Sequence, residues 1–455
     1  MMNIFILISF LILLFQTTFQ YIVLNFRTNI DLNKVKDDNY MSMTMAQTLY
    51  VDFDMGDAHQ IIPMTLKTQQ HPTYIVSEDK IDEFEVQVKY NENKSVTTFH
   101  KIYDLLITGL AKYDFTKGYY VNDTVKFNSS LIYNNFTYML AKEVGVSGKN
   151  ISGEIGFSNK KDGDAYLFSE RTNFLQQLKD NNLIKKKIFG IVYDTEYEGR
   201  LFLGSYLYQV DQWYTEEDMK TNYIEGASDE NRDKWLINFG VQCLQQPNNT
   251  EIYTEKNTYG LIMYEIGLIV GSSIFRDKFV KNYFEEKKCE ESLISANPFG
   301  FYQYSCDSEE QFSDFPNIRL YLEGSYEFYF TKNDLFKKIG NKFIFQIVFE
   351  VFEWEISYWR LGQAFFRKYN SFFTMADENQ MFSYYPTKKE RPESPSETPV
   401  KLIIIIVLSV VVCILVGIIL VYLLKCRKEK KKRANELNDD YEYNAVNTPS
   451  ESATG

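Results

Sequence analysis

The sequence predicts a mainly β protein with two lobes and one membrane-spanning helix near its C-terminus. Short apolar or alternating runs separated by polar turns extend from Tyr50 to Leu207, which is typical of antiparallel sheet. A second series of such runs begins at Trp235, and each series contains one helix, so the body indicates an internal duplication. The third observation is the uninterrupted apolar stretch Leu402–Leu424, which is long enough to cross a bilayer.

The N-terminus predicts a secretory signal peptide over residues 1–20. The apolar run Ile4–Phe15 is too short to span a membrane and fits the hydrophobic region of such a signal, with cleavage expected near Gln20. Residues 21–49 then form an N-terminal segment or the remnant of a pro-segment. Tyr21–Leu24 could instead be a first strand of the sheet.

The predicted N-terminal lobe covers residues 50–215. Its helix is expected to start at a Ser169 cap, to carry Phe174, Leu175 and Leu178 on one face, and to end near Asn181.

Residues 216–234 are polar and charged and are predicted to be a linker, and residues 235–385 form the C-terminal lobe. The helix of this second lobe is expected to begin at Ser272–Ser273 and to direct Phe275, Phe279 and Val280 toward a core.

Beyond the lobes, residues 386–401 are rich in Pro, Ser and charge and predict an extended stalk. The span 402–424 is followed by a Lys/Arg cluster that holds this flank in the cytoplasm, so we expect a single-pass type I topology. The body would then lie at the cell surface or in an endomembrane lumen. The cytoplasmic tail 425–455 contains Tyr443 and Val446 at the spacing of a tyrosine-based sorting motif.

In an oxidising compartment, cysteines can form disulfides and sequons can be glycosylated. Of five cysteines, Cys289 and Cys306 bracket a loop and are expected to form a disulfide, while Cys243 is expected to be a buried thiol. Six Asn-x-Ser/Thr sequons lie in the predicted outer portion, and we treat them as candidate glycosylation sites: Asn93, Asn122, Asn128, Asn135, Asn150 and Asn248.

Composition and motifs argue against several function classes. The net charge of −12 argues against a nucleic-acid partner. The three histidines have no metal-ligand spacing, and neither a P-loop nor a Rossmann glycine pattern occurs, so no cofactor or metal is expected.

The segment from Gly56 to Ser77 carries the most informative motif. Gly56 and Gln60 precede an apolar strand that leads into Lys67-Thr68-Gln69, and Tyr74 follows in the next strand. The whole pattern resembles the first active-site loop of pepsin-like aspartic proteases, with Lys67-Thr68-Gln69 where that family has Asp-Thr-Gly.

The resemblance continues in order from about Tyr50 to Tyr385. Ser152–Phe157 is similar to the hydrophobic-hydrophobic-Gly segment of the first lobe, and Gly199–Gly204 to the Gly-x-Leu-x-x-Gly hairpin. Phe315–Ile318 resembles the Leu-Pro-x-Ile start of a strand, and Trp359–Tyr369 the closing Leu-Gly-x-x-Phe-x-Arg-x-Tyr block. The resemblance implies a bilobal, mostly antiparallel β fold with a cleft between the lobes. Gly362 would allow close chain contact, and Phe365, Tyr369 and Phe373 would pack in the core.

The same resemblance implies that the catalytic pair is lost. The second Asp-Thr-Gly corresponds to Met263-Tyr264-Glu265, so the two aspartate positions are Lys67 and Met263. Glu265 is a possible substitute base, but at the glycine position we expect its carboxylate to point elsewhere. We expect Lys67 to pair with Glu265 or Glu154. The flap that covers substrate in the family corresponds loosely to Tyr113–Gly118, with Tyr113 in the place of the flap tyrosine.

Three functions follow as hypotheses. The first is a membrane-anchored, catalytically inactive pseudoprotease that binds a peptide or protein in the interlobe cleft. The second is an aspartic endopeptidase of the secretory pathway or cell surface, as family membership alone implies. The third is a structural surface glycoprotein that uses the fold as a rigid body.

Overall fold

A computed structural model describes most of the body of the chain. The described residues are 21–29, 40–45, 47–68, 73–78, 88–95, 98–107, 115–127, 131–144, 152–157, 173–224, 235–246, 250–296, 299–322, 327–351, 358–375, 380–386, 388, 425 and 427–428. The chain divides into two compact units, Met1–Lys389 and Glu390–Gly455. In the second unit, Lys425, Arg427 and Lys428 are helical and exposed.

Strands dominate the described residues of the first unit, as the sequence predicts. In chain order they are β1 (Ile22–Thr28), β2 (Leu49–Met55), β3 (Gln60–Lys67), β4 (Tyr74–Val76), β5 (Thr98–Ile107), β6 (Phe115–Lys126), β7 (Ile132–Val144), β8 (Gly153–Gly156), β9 (Ile188–Tyr193), β10 (Glu198–Leu203), β11 (Lys220–Ile224), β12 (Leu236–Gln245), β13 (Glu251–Ile262), β14 (Ile269–Gly271), β15 (Glu290–Ala296), β16 (Phe299–Cys306), β17 (Asn317–Leu322), β18 (Glu327–Phe330), β19 (Phe336–Ile339), β20 (Lys342–Phe345), β21 (Ile347–Glu350), β22 (Tyr358–Leu361), β23 (Asn370–Met375) and β24 (Gln380–Tyr385).

The helices are short and lie between the strands. They are α1 (Tyr40–Met45), α2 (Phe174–Asp180), α3 (Ser273–Phe275, continued by a π-helical turn Arg276–Val280 and an α-helical turn Lys281–Glu286), α4 (Lys332–Leu335) and α5 (Gln363–Lys368). Single 3-10 turns occur at Glu92–Lys94, Leu207–Gln209, Glu216–Asp218 and Glu309–Phe312.

The strands form two large sheets. The first has 13 strands in the order β11-β24-β23-β9-β10-β1-β2-β3-β8-β4-β7-β6-β5. The second has 11 strands in the order β18-β17-β12-β13-β22-β14-β21-β16-β20-β19, with β15 beside β16. This mainly β architecture agrees with the bilobal pepsin-like fold that the sequence predicts.

One strand arrangement occurs in both sheets, as the internal duplication predicts. In the first sheet β3 runs parallel to β8, which pairs Leu66 with Ile155, and β4 runs parallel to β7. In the second sheet β13 runs parallel to β22, which pairs Ile262 with Leu361, and β14 runs parallel to β21. The loop that follows β3 and the loop that follows β13 form the candidate site.

The first sheet contains strands from both ends of the body. Ile22–Thr28 lies between β10 and β2, as the alternative of a first strand at Tyr21–Leu24 anticipates. Part of the predicted linker is also a strand, because β11 pairs with β24 along its whole length. The linker prediction was wrong for Lys220–Ile224. An edge strand with half-exposed side chains has the polar composition that normally indicates a linker.

The two predicted helices are present. Asn173 caps α2 by accepting a hydrogen bond from the Gln176 amide at 2.9 Å, and Phe174, Leu175 and Leu178 are buried. Ser169, the predicted cap, lies outside the described residues. Ser272 caps α3 as predicted, since its hydroxyl accepts from the Phe275 amide at 3.1 Å.

The cysteine predictions are confirmed, because Cys289 and Cys306 form a disulfide and Cys243 is a buried thiol. Among the sequons, Asn93 and Asn135 are exposed and Asn122 is partly buried. Asn128, Asn150 and Asn248 lie outside the described residues, as do the predicted signal peptide, the span 402–424 and the sorting residues Tyr443 and Val446. Within the part of the chain that the structure describes, no helix combines the length and apolarity needed to cross a membrane.

Aromatic rings fill the region where the two lobes join. Phe189 stacks on Phe373 with ring centroids 4.9 Å apart, and Trp235 meets Phe373 edge to face at 4.9 Å. Phe365, Tyr369 and Phe373 are all buried, so the core role predicted for the closing block is confirmed. This core fixes the position of both site loops relative to each other.

Candidate functional site

Two loops from opposite lobes meet at the centre of the molecule. The first site loop follows β3 and is described at Lys67 and Thr68. The second site loop is Met263–Leu268, between β13 and β14. The buried Thr68 hydroxyl donates to the Ile262 carbonyl at 3.0 Å, so the loops are in direct contact. The two segments singled out from the sequence are thus brought together by the fold.

A closed ring of hydrogen bonds joins the lobes around these loops. The Phe157 amide donates to the Lys67 carbonyl at 2.8 Å, and the Trp235 indole donates to the Phe157 carbonyl at 2.6 Å. The Ile262 amide donates to the Trp235 carbonyl at 3.0 Å, and Thr68 closes the ring on Ile262. Apart from the Thr68 hydroxyl and the Trp235 indole, every group in this ring belongs to the backbone.

Lys67 is held by an ion pair inside the first lobe. Its Nζ lies 3.6 Å from Glu154 Oε1, with side chains 19% and 3% exposed. Burial acts to lower the pKa of Lys67, but the negative charges of Glu154 and Glu265 outweigh it and raise the pKa above its usual value. Lys67 therefore stays protonated at neutral pH. The expectation that Lys67 pairs with a nearby acid is confirmed for Glu154.

Glu154 is a carboxylate in a position that normally suits an apolar side chain. It lies in β8, within the segment that resembles the hydrophobic-hydrophobic-Gly element, and its register partner in β3 is Thr65. Burial raises the pKa of Glu154, and the positive charge of Lys67 opposes this shift. Since removing one partner from a buried ion pair leaves an uncompensated charge, Lys67 and Glu154 depend on each other.

Glu265 differs from the sequence-based expectation. Its carboxylate does not point away from the site but reaches across the lobe boundary, where Oε1 accepts from the Thr68 amide at 2.8 Å and Oε2 from the Thr68 hydroxyl at 3.0 Å. Thr68 donates its backbone amide to this carboxylate, and its hydroxyl proton is shared between Glu265 and the Ile262 carbonyl.

Met263 lies in an apolar cluster. It is 7% exposed and packs with Tyr40 and Met45 of α1, and with Ile266 and Val270 of the second lobe. The sequence does not predict helix α1, because its six residues carry no capping motif and are too few to show a helical apolar period. Its packing beside the second site loop depends on long-range contacts.

Two glycines allow this packing. A Cβ on Gly267 would lie 1.8 Å from the Thr44 carbonyl oxygen of α1. A Cβ on Gly362 would lie 1.9 Å from the Leu268 carbonyl oxygen, so the close approach predicted for Gly362 is confirmed. The amide of Gln363 then donates to the Ile266 carbonyl at 2.7 Å and fixes the second site loop against α5.

Tyr264 occupies the position that matches Thr68 in the other lobe. Its ring is fully buried and meets Phe366 edge to face at 4.4 Å. Its hydroxyl has no hydrogen-bond partner among the described residues. The Tyr264 carbonyl accepts from Gln363 Nε2 at 2.9 Å, an interaction that the sequence analysis missed. The signal for this hydrogen bond is the amide side chain of Gln363, directly after Gly362 in the closing block, because a buried amide needs hydrogen-bond partners.

Tyr113 and Gln69 lie outside the described residues. The acidic residues before the first site loop have partners of their own: Asp52 pairs with Arg27 at 2.8 Å, and Asp54 lies 2.9 Å from His59. Neither belongs to the site.

The site thus contains one cation, two carboxylates with assigned partners and one thioether. The Lys67 ammonium and the Glu154 carboxylate neutralise each other, and the Glu265 carboxylate is held by Thr68. Lys67, at the end of β3, and Met263, directly after the matching strand β13, carry an ammonium and a thioether.

Comparison with known families agrees with the architecture. The family model for eukaryotic aspartyl protease matches residues 43–384, which covers most of the chain, including both site loops and α5. No curated protein sequence matches the chain at a significant level. The strand arrangement repeated in both sheets and the meeting of the two site loops are consistent with that match. The chain belongs to the eukaryotic aspartyl protease family.

Proposed function

We propose that this protein is a catalytically inactive member of its family that binds a peptide or protein in the cleft between its lobes. The observation that carries the proposal is the buried ion pair between Lys67 and Glu154. It puts an ammonium, whose pKa is raised by Glu154 and Glu265, where the family uses a carboxylate.

Aspartic proteolysis requires two carboxylates that share a proton, so that one draws a proton from water while the other donates to the peptide carbonyl. A lysine whose pKa is raised cannot accept a proton at neutral or acidic pH. The thioether of Met263 neither accepts nor donates a catalytic proton. The residues at both positions therefore argue against the family chemistry.

Glu265 is the remaining candidate for a base. Its carboxylate accepts a hydrogen bond from the Thr68 amide and shares the Thr68 hydroxyl proton with the Ile262 carbonyl, so it is tied to the first site loop and not to a second carboxylate. A second carboxylate, Glu154, is neutralised by Lys67. An acid and a base shared between Glu265 and Glu154 would require this cation to leave the space beside them.

Loss of catalysis does not remove the capacity to bind. The hydrogen-bond ring that joins the lobes does not use the side chains of Lys67 or Met263, so the two-lobe frame does not depend on catalytic groups. A cleft between two such lobes provides the concave surface typical of peptide sites.

The membrane arrangement in this proposal comes from the sequence. The apolar segment 402–424 and its basic flank support a single-pass type I protein with the body outside the cytoplasm. The Cys289–Cys306 disulfide fits an oxidising compartment, and exposed Asn93 and Asn135 are accessible for glycosylation.

The test combines cleavage and capture. The full chain, shown to be folded by a cooperative thermal transition, is incubated with a diverse peptide library between acidic and neutral pH, and both cut and retained peptides are identified by mass spectrometry. We expect retained, uncut peptides. Cleavage that a transition-state inhibitor of aspartic proteases blocks would overturn the inactive assignment.

Matched variants separate the alternatives. Glu265→Gln would abolish any cleavage that uses this carboxylate, while Glu285→Gln, at an exposed helical site, serves as the control with the same change of charge. If the folded chain neither cuts nor retains peptides, a structural role replaces the binding role.

A further inference from the structure

A cavity beside the C-terminal end of the second site loop contains an excess of positive charge. Its volume is about 500 Å³, and it is bordered by α4, β19, α5 and the residues that follow β24. Six charged side chains line it: Glu196, Asp334, Lys337, Arg367, Lys368 and Lys388. Four of these are cations and two are carboxylates.

Two of the cations are neutralised inside the cavity. Lys337 contacts the Glu196 carboxylate, and Lys368 Nζ lies 2.5 Å from Asp334 Oδ2. Each of these pairs contributes no net charge. The electrostatic character of the cavity therefore depends on the other two cations.

Arg367 and Lys388 have neutral acceptors. Arg367 donates to Gln47 Oε1 at 2.6 Å and to the Glu196 carbonyl at 3.3 Å, and Lys388 Nζ donates to the Tyr193 carbonyl at 3.2 Å. Within the described ranges, neither forms an ion pair with a carboxylate. Two positive charges are thus held in a cavity that supplies no counter-charge.

The pKa values of two lysines in the cavity are lowered. Burial lowers the pKa of Lys337 to about 8, and the nearby Arg367 charge acts in the same direction. Burial also lowers the pKa of Lys388 to about 8, although Asp194 opposes the shift while Arg367 assists it. An anion in the cavity would relieve both repulsion and desolvation.

The remaining wall of the cavity is apolar. Ile269, Phe330, Phe336 and Ala364 line it beside the charged groups. A volume of this size is within the range of roughly 300–1,000 Å³ that holds small molecules. The cavity can therefore accommodate an apolar body as well as an anionic head.

We propose that this cavity binds a phosphate monoester with an apolar organic group. The planar guanidinium of Arg367 suits contact with a phosphate, and the ammonium of Lys388 supplies a second positive charge for the doubly charged head. The apolar wall of Ile269, Phe330 and Phe336 would receive the organic part. The site is separate from the proposed peptide site, and neither proposal requires the other.

The site is connected to the second site loop through Gln47 and Gln363. Gln47 accepts from Arg367 through its side chain, and its backbone carbonyl accepts from Gln363 Nε2 at 2.7 Å. Gln363 also holds the Tyr264 carbonyl. Binding to Arg367 therefore acts on a group that positions the second site loop.

The test uses the full chain in a non-ionic detergent and isothermal titration with three soluble probes: phenyl phosphate, inorganic phosphate and benzoate. Phenyl phosphate should bind most tightly, since it alone offers both a dianion and an apolar ring. A short-chain phosphatidic acid is the fourth arm. If it binds more tightly than phenyl phosphate, the natural source of the phosphate is a lipid headgroup rather than a soluble ester.

Variants test the residues. Lys388→Gln should weaken phenyl phosphate binding roughly tenfold or more, as the loss of one charge-assisted contact predicts. Lys337→Gln should also weaken it, because the Glu196 carboxylate would then face the bound anion without its counter-charge. Lys388→Arg should retain binding. Lys281→Gln removes an exposed lysine outside the cavity and should change nothing. The thermal transition of each variant verifies that it is folded.

A proton-linked measurement gives an independent check. Phosphate monoesters are dianions above a pKa of about 6, so between pH 7 and 9 only the protein titrates. Among the lining groups, Lys337 and Lys388 have a pKa of about 8, so binding at pH 8 should take up protons and weaken toward pH 9. Absence of phenyl phosphate binding to a folded chain at millimolar concentration would overturn the proposal. Binding that both glutamine variants leave unchanged would do the same.

Discussion

The two site loops occupy matching positions in the two lobes but have opposite characters. The first contains a buried charge, Lys67, neutralised by Glu154 within the same lobe. The second contains Met263 in an apolar cluster and sends Glu265 across to Thr68. One loop is thus satisfied by an ion pair, and the other by packing together with a hydrogen bond to its partner lobe.

This difference shows which parts of the site the fold requires. The ring from Lys67 through Phe157, Trp235, Ile262 and Thr68 is built on backbone groups, one hydroxyl and one indole. The side chains of Lys67 and Met263 take no part in it. The contact between the two lobes therefore does not depend on the side chains at positions 67 and 263.

The largest effect should come from breaking the ion pair of the first loop. Lys67→Met leaves Glu154 as a buried, uncompensated carboxylate, and we expect it to lower the free energy of unfolding by about 3–5 kcal/mol. Urea denaturation measures this change. The double variant Lys67→Met with Glu154→Leu should recover most of the loss. A single variant as stable as the unchanged chain would show that the pair is not coupled.

The stability of the Lys67→Met variant should also depend on pH in a way that distinguishes the two loops. Without Lys67 the pKa of Glu154, which burial already raises, should rise further, so the folded state holds its proton to higher pH than the unfolded state. Stability is then present in acid and lost as the pH rises through the folded pKa. The difference in the free energy of unfolding between the variant and the unchanged chain should grow by about 1.4 kcal/mol per pH unit. This growth is expected between the folded-state pKa of Glu154 in the unchanged chain and the higher one in the variant. Met263→Leu, with no ionisable side chain, should show a deficit that is constant with pH.

A smaller effect is expected at the contact between the loops. Thr68→Val removes the hydroxyl that donates to Ile262 and Glu265, which leaves buried acceptors unpaired. The expected loss is about 1–3 kcal/mol in the free energy of unfolding. Thermal denaturation followed by circular dichroism measures it, and Thr68→Ser, which keeps the hydroxyl, is the control. Equal losses in both variants would point to packing rather than hydrogen bonding.

The smallest effect should come from the matching position of the other lobe. The Tyr264 hydroxyl is buried without a hydrogen-bond partner among the described residues, so Tyr264→Phe removes an unsatisfied group and keeps the ring contacts. We expect a change between zero and a stabilisation of about 1 kcal/mol. A clear destabilisation in the same denaturation assay would contradict this assignment of roles to Thr68 and Tyr264.

Features set by neighbouring residues could be predicted from the sequence, whereas features set by contacts between distant segments could not. The strand-rich halves, the Ser272 cap, the disulfide and the pairing of Lys67 with Glu154 follow from patterns or from family resemblance. Glu265 was misjudged because the direction of its side chain is decided by donors on the opposite lobe, far away in sequence. Helix α1 was missed for a related reason, since its stability depends on packing against the second lobe.

The first sheet also has a consequence for how the chain is made. Strand β9 is completed by β23, and Phe189 pairs with Phe373, roughly 180 residues later. At a synthesis rate of about 5–20 residues per second, the edge of β9 waits on the order of ten to forty seconds for its partner. During that time an apolar strand edge is open to incorrect pairing. Successful folding of the N-terminal lobe thus depends on the last strands to leave the ribosome, which makes truncation near the C-terminus of the body a defect of both lobes.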